Sequence, residues 1–314
     1  MKLLTFEQIK EITVGALNVF QTENGIYFSK CTQKQIDSWQ SILPDLSDCA
    51  KCTTGVRLDF STDSKNVFFT LSKGTFEIYI NSKMDEQICN NDNVIEISKT
   101  LPEGENRVTL YFPSHTVGVL LKVGIDDDAT INRHKFDKKM LFIGDSITQG
   151  WASRIDSLAY APLVSQYFNA ESVINGIGGS LYFPDFFDKI SFDPDVVIIA
   201  YGTNDYNYYH DVETLEKNVY GFLKQIKEEY SQKRIFVILP IWRQDIEIVR
   251  RMGKFSDCRE KIDEVAKKLG IETIDAFDFV PHDKRFYNDD LHPNELGFSV
   301  YARNLIFELK NRGV

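Results

Sequence analysis

The sequence lacks any long hydrophobic run. No stretch approaches the roughly 18–20 consecutive apolar residues that a membrane-spanning helix needs. The N-terminal segment is interrupted by Glu7, Lys10 and Glu11, so it also lacks the apolar centre of a secretory signal. We therefore expect a cytoplasmic protein with no membrane partner.

Basic residues are scarce relative to acidic ones. The 314 residues contain 36 lysines and arginines against 46 aspartates and glutamates, which gives a formal net charge of −10. Nucleic acids and anionic membrane surfaces are bound by basic faces, so this balance argues against both as main partners. Hydrophobic residues make up 43% of the chain, which is typical of a globular protein with a packed core.

Cysteines are few and odd in number. The five are Cys31, Cys49, Cys52, Cys89 and Cys258, and an odd count predicts reduced thiols rather than a disulfide framework. Cys49 and Cys52 form a single C-x-x-C pair, but no second pair or histidine pair follows at the spacing of a zinc site. The sequence therefore predicts no bound metal, and nothing in it indicates a cofactor.

The length of the chain and a change of pattern near residue 130 together predict two domains. Residues 1–130 contain six or seven short segments rich in β-branched and aromatic residues, separated by turn residues such as those at 90–93 and 102–106. This pattern favours an all-β sandwich of jelly-roll-like form, serving as an accessory domain. Residues 35–47 are predicted to form a short helix or a loop insertion within it.

Residues 131–314 alternate between apolar strands and amphipathic helices. Their strands are continuous apolar runs, which is typical of strands buried on both faces. Helices are predicted at about 157–168, 212–230, 256–269 and 294–311. Such alternation predicts an α/β domain of three layers, α/β/α, with a parallel sheet and right-handed crossovers. Ligands bind such sheets beyond the carboxyl ends of the strands.

The polar residues that could carry chemistry follow the predicted strand ends. Ser146 lies in G-D-S-I-T after the first strand, where a helix start would present its hydroxyl beside backbone N–H groups. A hydroxyl needs a base to accept its proton, and His292 in D-D-L-H-P is the best placed histidine. Asp289, three residues earlier, can accept the Nδ1 hydrogen and stabilise the imidazolium.

Acyl transfer also needs donors for the developing oxyanion. Three adjacent strand ends offer the Ser146 N–H, the Gly179 N–H and the Asn204 side-chain amide. Gly178 is the alternative to Gly179, because N-G-I-G-G-S contains both glycines. His282 is the alternative base, although it lacks a carboxylate at D-x-x-H spacing, and Asp290 is the alternative to Asp289.

The four blocks together resemble the SGNH (GDSL-like) hydrolases. In chain order, G-D-S-I-T, the glycine-rich turn, G-T-N-D and D-x-x-H-P look like the four family blocks, whose namesakes fall on Ser146, Gly179, Asn204 and His292. The resemblance spans about residues 138–314 and implies a flavodoxin-like α/β/α fold with esterase, lipase or acyl-hydrolase activity that needs no metal. A jelly-roll-like domain ahead of such a domain is similar to certain bacterial carbohydrate esterases, which remove acetyl groups from sugars.

Five side chains on loops or strand ends of the same face are predicted to bind substrate: Trp151, Tyr201, Tyr206, Trp242 and Arg243. Aromatic rings stack on sugars and arginine binds hydroxyls or carboxylates, while packing against neighbouring loops is the alternative role. We predict a serine esterase for short-chain esters, above all acetyl esters, of a small-molecule or oligosaccharide alcohol. The alternatives are a lipase- or thioesterase-like acyl hydrolase and a catalytically weak carbohydrate-binding protein.

Overall fold

The computed structural model describes all residues from Met1 to Val314 and contains two β-sheets of different construction. A ten-stranded antiparallel sheet occupies the N-terminal part of the chain, and a five-stranded parallel sheet occupies the C-terminal part. The predicted sequence of an all-β region followed by an α/β region is therefore confirmed.

The antiparallel sheet curls around its own hydrophobic core. Its strands are β1 (Lys2–Leu3), β2 (Thr13–Val14), β3 (Asn18–Thr22), β4 (Gly25–Ser29), β5 (Arg57–Thr62), β6 (Asn66–Ile80), β7 (Lys83–Thr100), β8 (Asn106–Tyr111), β9 (Leu120–Ile125) and β10 (Ile131–Arg133). Three helices interrupt them: α1 (Phe6–Ile12), α2 (Gln33–Ile42) and α3 (Leu46–Lys51). The central strand order is β10-β5-β8-β6-β9-β4-β3.

The turn predicted at residues 90–93 is wrong, because these residues lie within β7, in one long hairpin with β6. The ladder is irregular there, between Ser72 and Gly74 of β6. The Asn90 side chain donates to the carbonyl oxygens of Ser72 and Asp92, both at 3.0 Å. The side-chain hydrogen bonds that favour a turn are thus made inside the hairpin, without reversing the chain.

The segment predicted as a short helix or insertion forms α2 and α3, and it packs into the C-terminal half of the molecule. Thr32 caps α2 in a capping box with Gln35. Trp39 is fully buried, its ring lies 5.2 Å from that of Phe186, and its Nε1 donates to Ser180 Oγ at 3.3 Å. This N-terminal segment therefore belongs to the same hydrophobic core as the parallel sheet.

The parallel sheet has the strand order β12-β11-β13-β14-β15. Its strands are β11 (Lys138–Gly144), β12 (Ala170–Gly176), β13 (Val196–Ala200), β14 (Arg234–Leu239) and β15 (Glu272–Asp275). Its helices are α4 (Ser146–Gln149), α5 (Tyr160–Tyr167), α6 (Thr203–Tyr208), α7 (Val212–Glu229), α8 (Phe255–Lys268) and α9 (Glu295–Asn311). Short 3₁₀ helices lie at Asp156–Leu158, Pro184–Phe186 and Lys284–Phe286.

Helices cover both faces of this sheet. Side chains of α5 and α9 share one core with the sheet, and side chains of α7 and α8 share the core on the opposite face. The turns that follow β11, β12 and β13 lie at one edge of the sheet, because the three strands are parallel and their carboxyl ends point the same way. None of the helices combines the length and hydropathy needed to cross a membrane.

Strand β10 pairs with β5, so the antiparallel sheet continues past residue 130, and the domain boundary predicted between residues 130 and 131 stays a prediction.

The two sheets are joined by contacts close to the edge that carries the turns after β11, β12 and β13. Lys30 is fully buried between the sheets, and its Nζ donates to Thr54 Oγ1 at 2.7 Å and to the Gly176 carbonyl at 2.8 Å. Burial lowers the pKa of this ammonium group. The end of β12 is therefore fastened to the N-terminal part of the chain.

Two buried carboxyl groups also form hydrogen bonds between the N-terminal and C-terminal parts of the chain. Glu77 accepts the N–H groups of Asp156 at 2.6 Å and Ser157 at 3.2 Å, and Asp156 in turn accepts the Ser114 N–H at 2.7 Å. Burial raises the pKa of Asp156 to about 7, although the Ser114 hydrogen bond opposes the shift and the Glu77 carboxylate adds to it. His115 Nε2 lies 3.6 Å from Asp156 and burial lowers the pKa of its imidazole to about 4.

Replacing Asp156 with asparagine is expected to stabilise the protein increasingly as pH rises. Asp156 has an unfolded pKa near 4 and a folded pKa of about 7, so between these values the folded state holds a proton that the unfolded state has lost. The contribution of this group to the free energy of unfolding therefore falls as pH rises through that window. The free energy of unfolding of Asp156→Asn minus that of the wild type should grow by about 1–3 kcal/mol between pH 4.5 and pH 8.

Urea unfolding at several pH values measures this difference. The exposed Asp128→Asn is the matched control, and its difference from wild type should not change across the same range. A flat difference for Asp156→Asn would show that its carboxyl group titrates normally in the folded protein.

Candidate active site

Ser146 lies at the carboxyl end of β11, where the chain turns into α4. Asp145 is the N-cap of this helix, and its side chain accepts the Ile147 N–H at 2.9 Å. Ser146 is thus the first helical residue, and its N–H has no acceptor within the helix. Ser146 is only 6% exposed, which keeps its hydroxyl largely away from bulk water.

His292 joins Ser146 to Asp289 in one hydrogen-bonded chain. Ser146 Oγ lies 2.8 Å from His292 Nε2, and His292 Nδ1 lies 2.7 Å from Asp289 Oδ2. A hydroxyl, an imidazole and a carboxylate in this order can pass the hydroxyl proton to the imidazole and stabilise the resulting cation. The structure therefore brings together the three side chains that the sequence indicated for this chemistry.

The loop that carries His292 is held in place by its backbone and by a neighbouring loop. The Asn288 N–H donates to the His292 carbonyl at 3.0 Å, and the Asn288 side chain donates to the Ala152 carbonyl. The Gln244 N–H donates to the Asp290 carbonyl at 2.9 Å, and its Nε2 donates to the Asp289 carbonyl at 3.0 Å. The imidazole is thus positioned by several bonds that do not involve Ser146.

Asp289 is held as a carboxylate. Its Oδ1 accepts the N–H groups of Leu291 at 2.8 Å and His292 at 2.6 Å. Partial burial would raise the pKa of Asp289, but these hydrogen bonds and the imidazole outweigh it and hold the pKa below its ordinary value. Asp290 contributes its backbone carbonyl to this loop, while its exposed carboxylate binds no neighbour.

The structure distinguishes the two glycines. The Gly178 N–H donates to Gln149 Oε1 at 2.7 Å and is therefore occupied. The Gly179 N–H donates to no protein acceptor, and the residue has a φ of 82°, a left-handed conformation that favours glycine. Asn204 donates to the Ser180 carbonyl at 2.9 Å, which orients its amide toward the same turn. Gly179 rather than Gly178 therefore has an N–H that no protein acceptor occupies.

Asp205 links the turns that carry Gly179 and Asn204. Its two carboxyl oxygens accept the Tyr182 N–H and the Gly202 N–H, each at 2.9 Å. Asp205 is fully buried, and burial raises the pKa of this carboxyl group to about 7, against the effect of those two hydrogen bonds. Asp205 therefore has a structural role, because it holds the turn that carries Gly179 against the turn that carries Asn204.

Three of the five side chains predicted to bind substrate are buried in the structure, and their assignment stays a prediction. Tyr201 is 2% exposed and its hydroxyl accepts from Ser180 Oγ at 3.4 Å. Tyr206 has no exposed surface, and its hydroxyl donates to the carbonyls of the loop that ends at Gly253. Arg243 is 4% exposed, paired with Asp245, and donates to the Thr203 carbonyl at 3.0 Å. The polar groups of these three side chains bond to other protein groups from within the core.

The two tryptophans have different surroundings. Trp151 is 42% exposed and its ring lies 6.4 Å from that of His292, so it borders the site. Trp242 is half-buried and stacks on His282 with ring centroids 4.8 Å apart. His282 is further held by Asp278 at 3.1 Å, and the structure brings His292 rather than His282 to Ser146.

Several residues that shape the site were not indicated by the sequence. Gln149 occupies the Gly178 N–H, and its Nε2 donates to the Ser114 carbonyl at 2.8 Å, so one side chain connects the site to the antiparallel sheet. Residues 43–46 form one wall of a cavity of about 330 Å³ that opens beside Gly179 and Asn204. Gln149 directly follows the nucleophile block G-D-S-I-T, and this position is the only signal that could have found it. Residues 43–46 carry no motif.

Comparison with protein families agrees with this geometry. The model of the GDSL-like lipase/acylhydrolase family matches residues 142–300, which contain Ser146, Gly179, Asn204, Asp289 and His292. None of the curated proteins matches the chain at a significant level.

Solved structures share the fold over nearly the whole chain at low sequence identity. Salicylyl-acyltransferase SsfX3 from a tetracycline biosynthetic pathway superposes with a TM-score of 0.84 and 17% identity, covering 96% of this chain and 94% of that one. A family two carbohydrate esterase from Clostridium thermocellum in complex with cellohexaose gives a TM-score of 0.71 and 17% identity over 95% and 98%. A family two carbohydrate esterase from Cellvibrio japonicus gives a TM-score of 0.71 and 17% identity, covering 97% of this chain and 96% of that one. At these identities the likeness concerns the fold.

Proposed function

We propose, because this chain belongs to the GDSL-like lipase/acylhydrolase family, that it hydrolyses carboxylic esters with Ser146 as the nucleophile. The observation that carries the proposal is the hydrogen-bonded chain from Ser146 through His292 to Asp289, at 2.8 and 2.7 Å. The Ser146 N–H, the Gly179 N–H and the Asn204 amide are the proposed oxyanion donors.

The proposed reaction has two steps, of which the first forms an acyl-enzyme. Ser146 Oγ attacks the carbonyl carbon while its proton passes to His292 Nε2, and Asp289 stabilises the imidazolium through Nδ1. The carbonyl oxygen becomes an oxyanion that accepts hydrogen bonds from the three donors. When the bond to the alcohol oxygen breaks, that oxygen takes the proton from Nε2 and the alcohol leaves.

The second step releases the acid. His292 Nε2 accepts a proton from water, and the water oxygen attacks the acyl carbon of the ester on Ser146. The same donors stabilise the second oxyanion. Breakage of the bond to Ser146 Oγ, which takes back the proton from Nε2, frees the carboxylic acid and restores the enzyme.

The proposed substrate is a short-chain ester of a carbohydrate, with acetyl as the smallest acyl group. The alcohol must leave beside His292, where Trp151 is exposed and its ring can stack on a sugar. The structures of the same fold that are named carbohydrate esterases support a carbohydrate alcohol.

We also propose the domain division expected from the sequence, with an accessory jelly-roll-like domain at 1–130 and a catalytic domain at 131–314. The order of the parallel strands, in which the second precedes the first and the third, fourth and fifth follow, is that of flavodoxin-like sheets and supports this description of the catalytic domain.

A fluorophosphonate and a p-nitrophenyl acetate assay test the proposed function together. Attack of Ser146 Oγ on phosphorus expels fluoride and leaves a stable adduct, because the product resembles the tetrahedral intermediate. We expect turnover of the ester, loss of that turnover on labelling, and one adduct that mass spectrometry places on the Ser146 peptide. Absence of both turnover with acyl esters and an adduct would overturn the proposal and favour a binding protein.

Replacing Asn204 with alanine is expected to lower kcat by about 10²–10³-fold, because one oxyanion donor is lost. Steady-state kinetics with p-nitrophenyl acetate measure the loss. Asn218→Ala, on the outer helix α7, is the matched control and should leave kcat unchanged. An Asn204→Ala enzyme with wild-type kcat would remove this amide from the proposed oxyanion site.

A further inference from the structure

The cavity of about 330 Å³ beside the oxyanion donors is walled by two distant parts of the chain. The N-terminal part contributes Leu43 and Leu46, which lie at the end of α2 and the start of α3. The catalytic part contributes Leu181, Asn207 and Tyr208, together with the donors Gly179 and Asn204. The cavity therefore has an apolar wall of three leucines, and its lining includes the two groups that would hold the ester carbonyl.

Leu46 is the side chain closest to the donor turn. A Cβ atom added to Gly179 would lie 2.7 Å from Leu46 Cδ2, which means that the leucine packs directly against this glycine. Leu46 therefore forms the part of the cavity wall next to Gly179. α3 can hold it there because Ala50, one turn further along the helix, is buried in the shared core.

The direction of the reaction assigns the cavity to the acyl side of the ester. The leaving alcohol must stand beside His292 Nε2, since that atom protonates it, and Trp151 borders this position. None of His292, Asp289 and Trp151 lines the cavity. With the carbonyl oxygen directed to the donors, the remaining substituent of the carbonyl carbon is the acyl group, and it points away from His292.

The size of the cavity exceeds what an acetyl group needs. A volume of about 330 Å³ corresponds to roughly ten water molecules at about 30 Å³ each. Asp45 lies on the same wall of the cavity. Its negative charge disfavours an acyl group that itself carries a free carboxylate, because like charges repel.

We infer that this cavity is an acyl-binding site for an uncharged apolar acyl group larger than acetyl, of about four to eight carbons. The inference rests on the proposed function and extends it, because it assigns acyl selection to a segment from the N-terminal part of the chain. Residues 43–46 then determine specificity, while the chemistry stays with Ser146, Asp289 and His292.

A series of p-nitrophenyl esters with acetyl, butyryl, hexanoyl, octanoyl and benzoyl groups tests the inference, because only the acyl part varies. We expect kcat/KM to rise by at least tenfold from acetyl to hexanoyl, since added methylenes in an apolar pocket improve transition-state binding. A second series, in which the alcohol varies and the acyl group is hexanoyl, reports on the opposite side of the site.

Two substitutions of Leu46 should move the acyl preference in opposite directions. Leu46→Trp fills the cavity and should reduce the ratio of hexanoyl to acetyl kcat/KM by about tenfold or more. Leu46→Ala enlarges it and should shift the preferred chain toward octanoyl, and this variant decides the matter if the tryptophan variant does not fold. Leu3→Trp, at an exposed leucine of β1, is the matched control and should leave the ratio unchanged.

The outcomes separate this inference from the proposed function. A ratio near or below one in the wild type, or a ratio that neither Leu46 variant changes, overturns the acyl site while leaving the esterase intact. An effect of the Leu46 variants on the alcohol series alone would assign the cavity to the alcohol and equally overturn the inference. Failure of the proposed function would instead appear as no turnover of any ester and no fluorophosphonate adduct.

Discussion

Replacing Ser146 with alanine is expected to lower kcat for p-nitrophenyl acetate by about 10⁶-fold. The variant keeps the imidazole, the carboxylate and the donors but has no oxygen that can form the acyl-enzyme. The remaining rate would come from the donors and from water activated by His292, and should still exceed the uncatalysed reaction. The structural change is small, because Ser146 Oγ bonds to His292 and to no other side chain.

Stopped assays at high enzyme concentration measure this residual rate. Ser256→Ala is the matched control, because Ser256 also lies in the first turn of a helix beside the parallel sheet but is exposed. It should retain wild-type activity. A Ser146→Ala protein that keeps more than a few per cent of the wild-type rate would show that another residue is the nucleophile.

The second large effect is expected for Asp289→Asn, with a loss of about 10⁴-fold in kcat. The asparagine oxygen can still accept the N–H groups of Leu291 and His292, so the loop should keep its shape. Its amide NH₂ would then face His292 Nδ1 and favour the tautomer whose hydrogen lies on Nε2. In that tautomer Nε2 cannot accept the proton of Ser146, so the base is lost without removing the imidazole.

The neighbouring Asp290 provides a close control for this prediction. Its carboxylate is exposed and unbonded, and only its backbone carbonyl takes part in the loop. Asp290→Asn should change kcat by less than about twofold, as is usual for a surface substitution. If Asp290→Asn were as inactive as Asp289→Asn, the loss would come from the charge of the loop and not from the orientation of the imidazole.

Both parts of the chain build the site, although Ser146, Asp289 and His292 come from one of them. Lys30 and Trp39 fasten the N-terminal part to the turns after β12, and Gln149 joins the nucleophile helix to the Ser114 carbonyl. The wall at residues 43–46 completes the cavity. An isolated parallel-sheet domain would thus lack one side of its site as well as part of its core.

The arrangement of Ser146, Asp289 and His292 could be predicted because each step depends on short-range information. Alternating apolar strands and helices require a parallel sheet, and parallel strands bring their carboxyl ends to one edge. The D-x-x-H spacing places Asp289 within one turn of His292, close enough for the observed contact. Motif order and local spacing were sufficient for these residues.

Side-chain exposure could not be predicted in the same way. Trp151, Tyr201 and Tyr206 all follow strand ends, yet only Trp151 is exposed. The difference depends on which distant segments cover each ring: Phe222 of α7 packs against Tyr201, and Phe255 of α8 packs against Tyr206. The exposure of a side chain depends on how the whole core packs, so it cannot be predicted from the residues next to a motif.

The sequence by itself determined the class of fold and the alternation of strands and helices in residues 131–314, because periodicity acts locally. Short motifs likewise indicated Ser146, His292 and Asp289, which the structure joins in one hydrogen-bonded chain. Only the tertiary structure decided between Gly178 and Gly179, through the acceptor on Gln149, and placed residues 43–46 beside the donors. Both outcomes depend on contacts between segments far apart in the chain. Such contacts are set by the packing of whole elements, which no local pattern encodes.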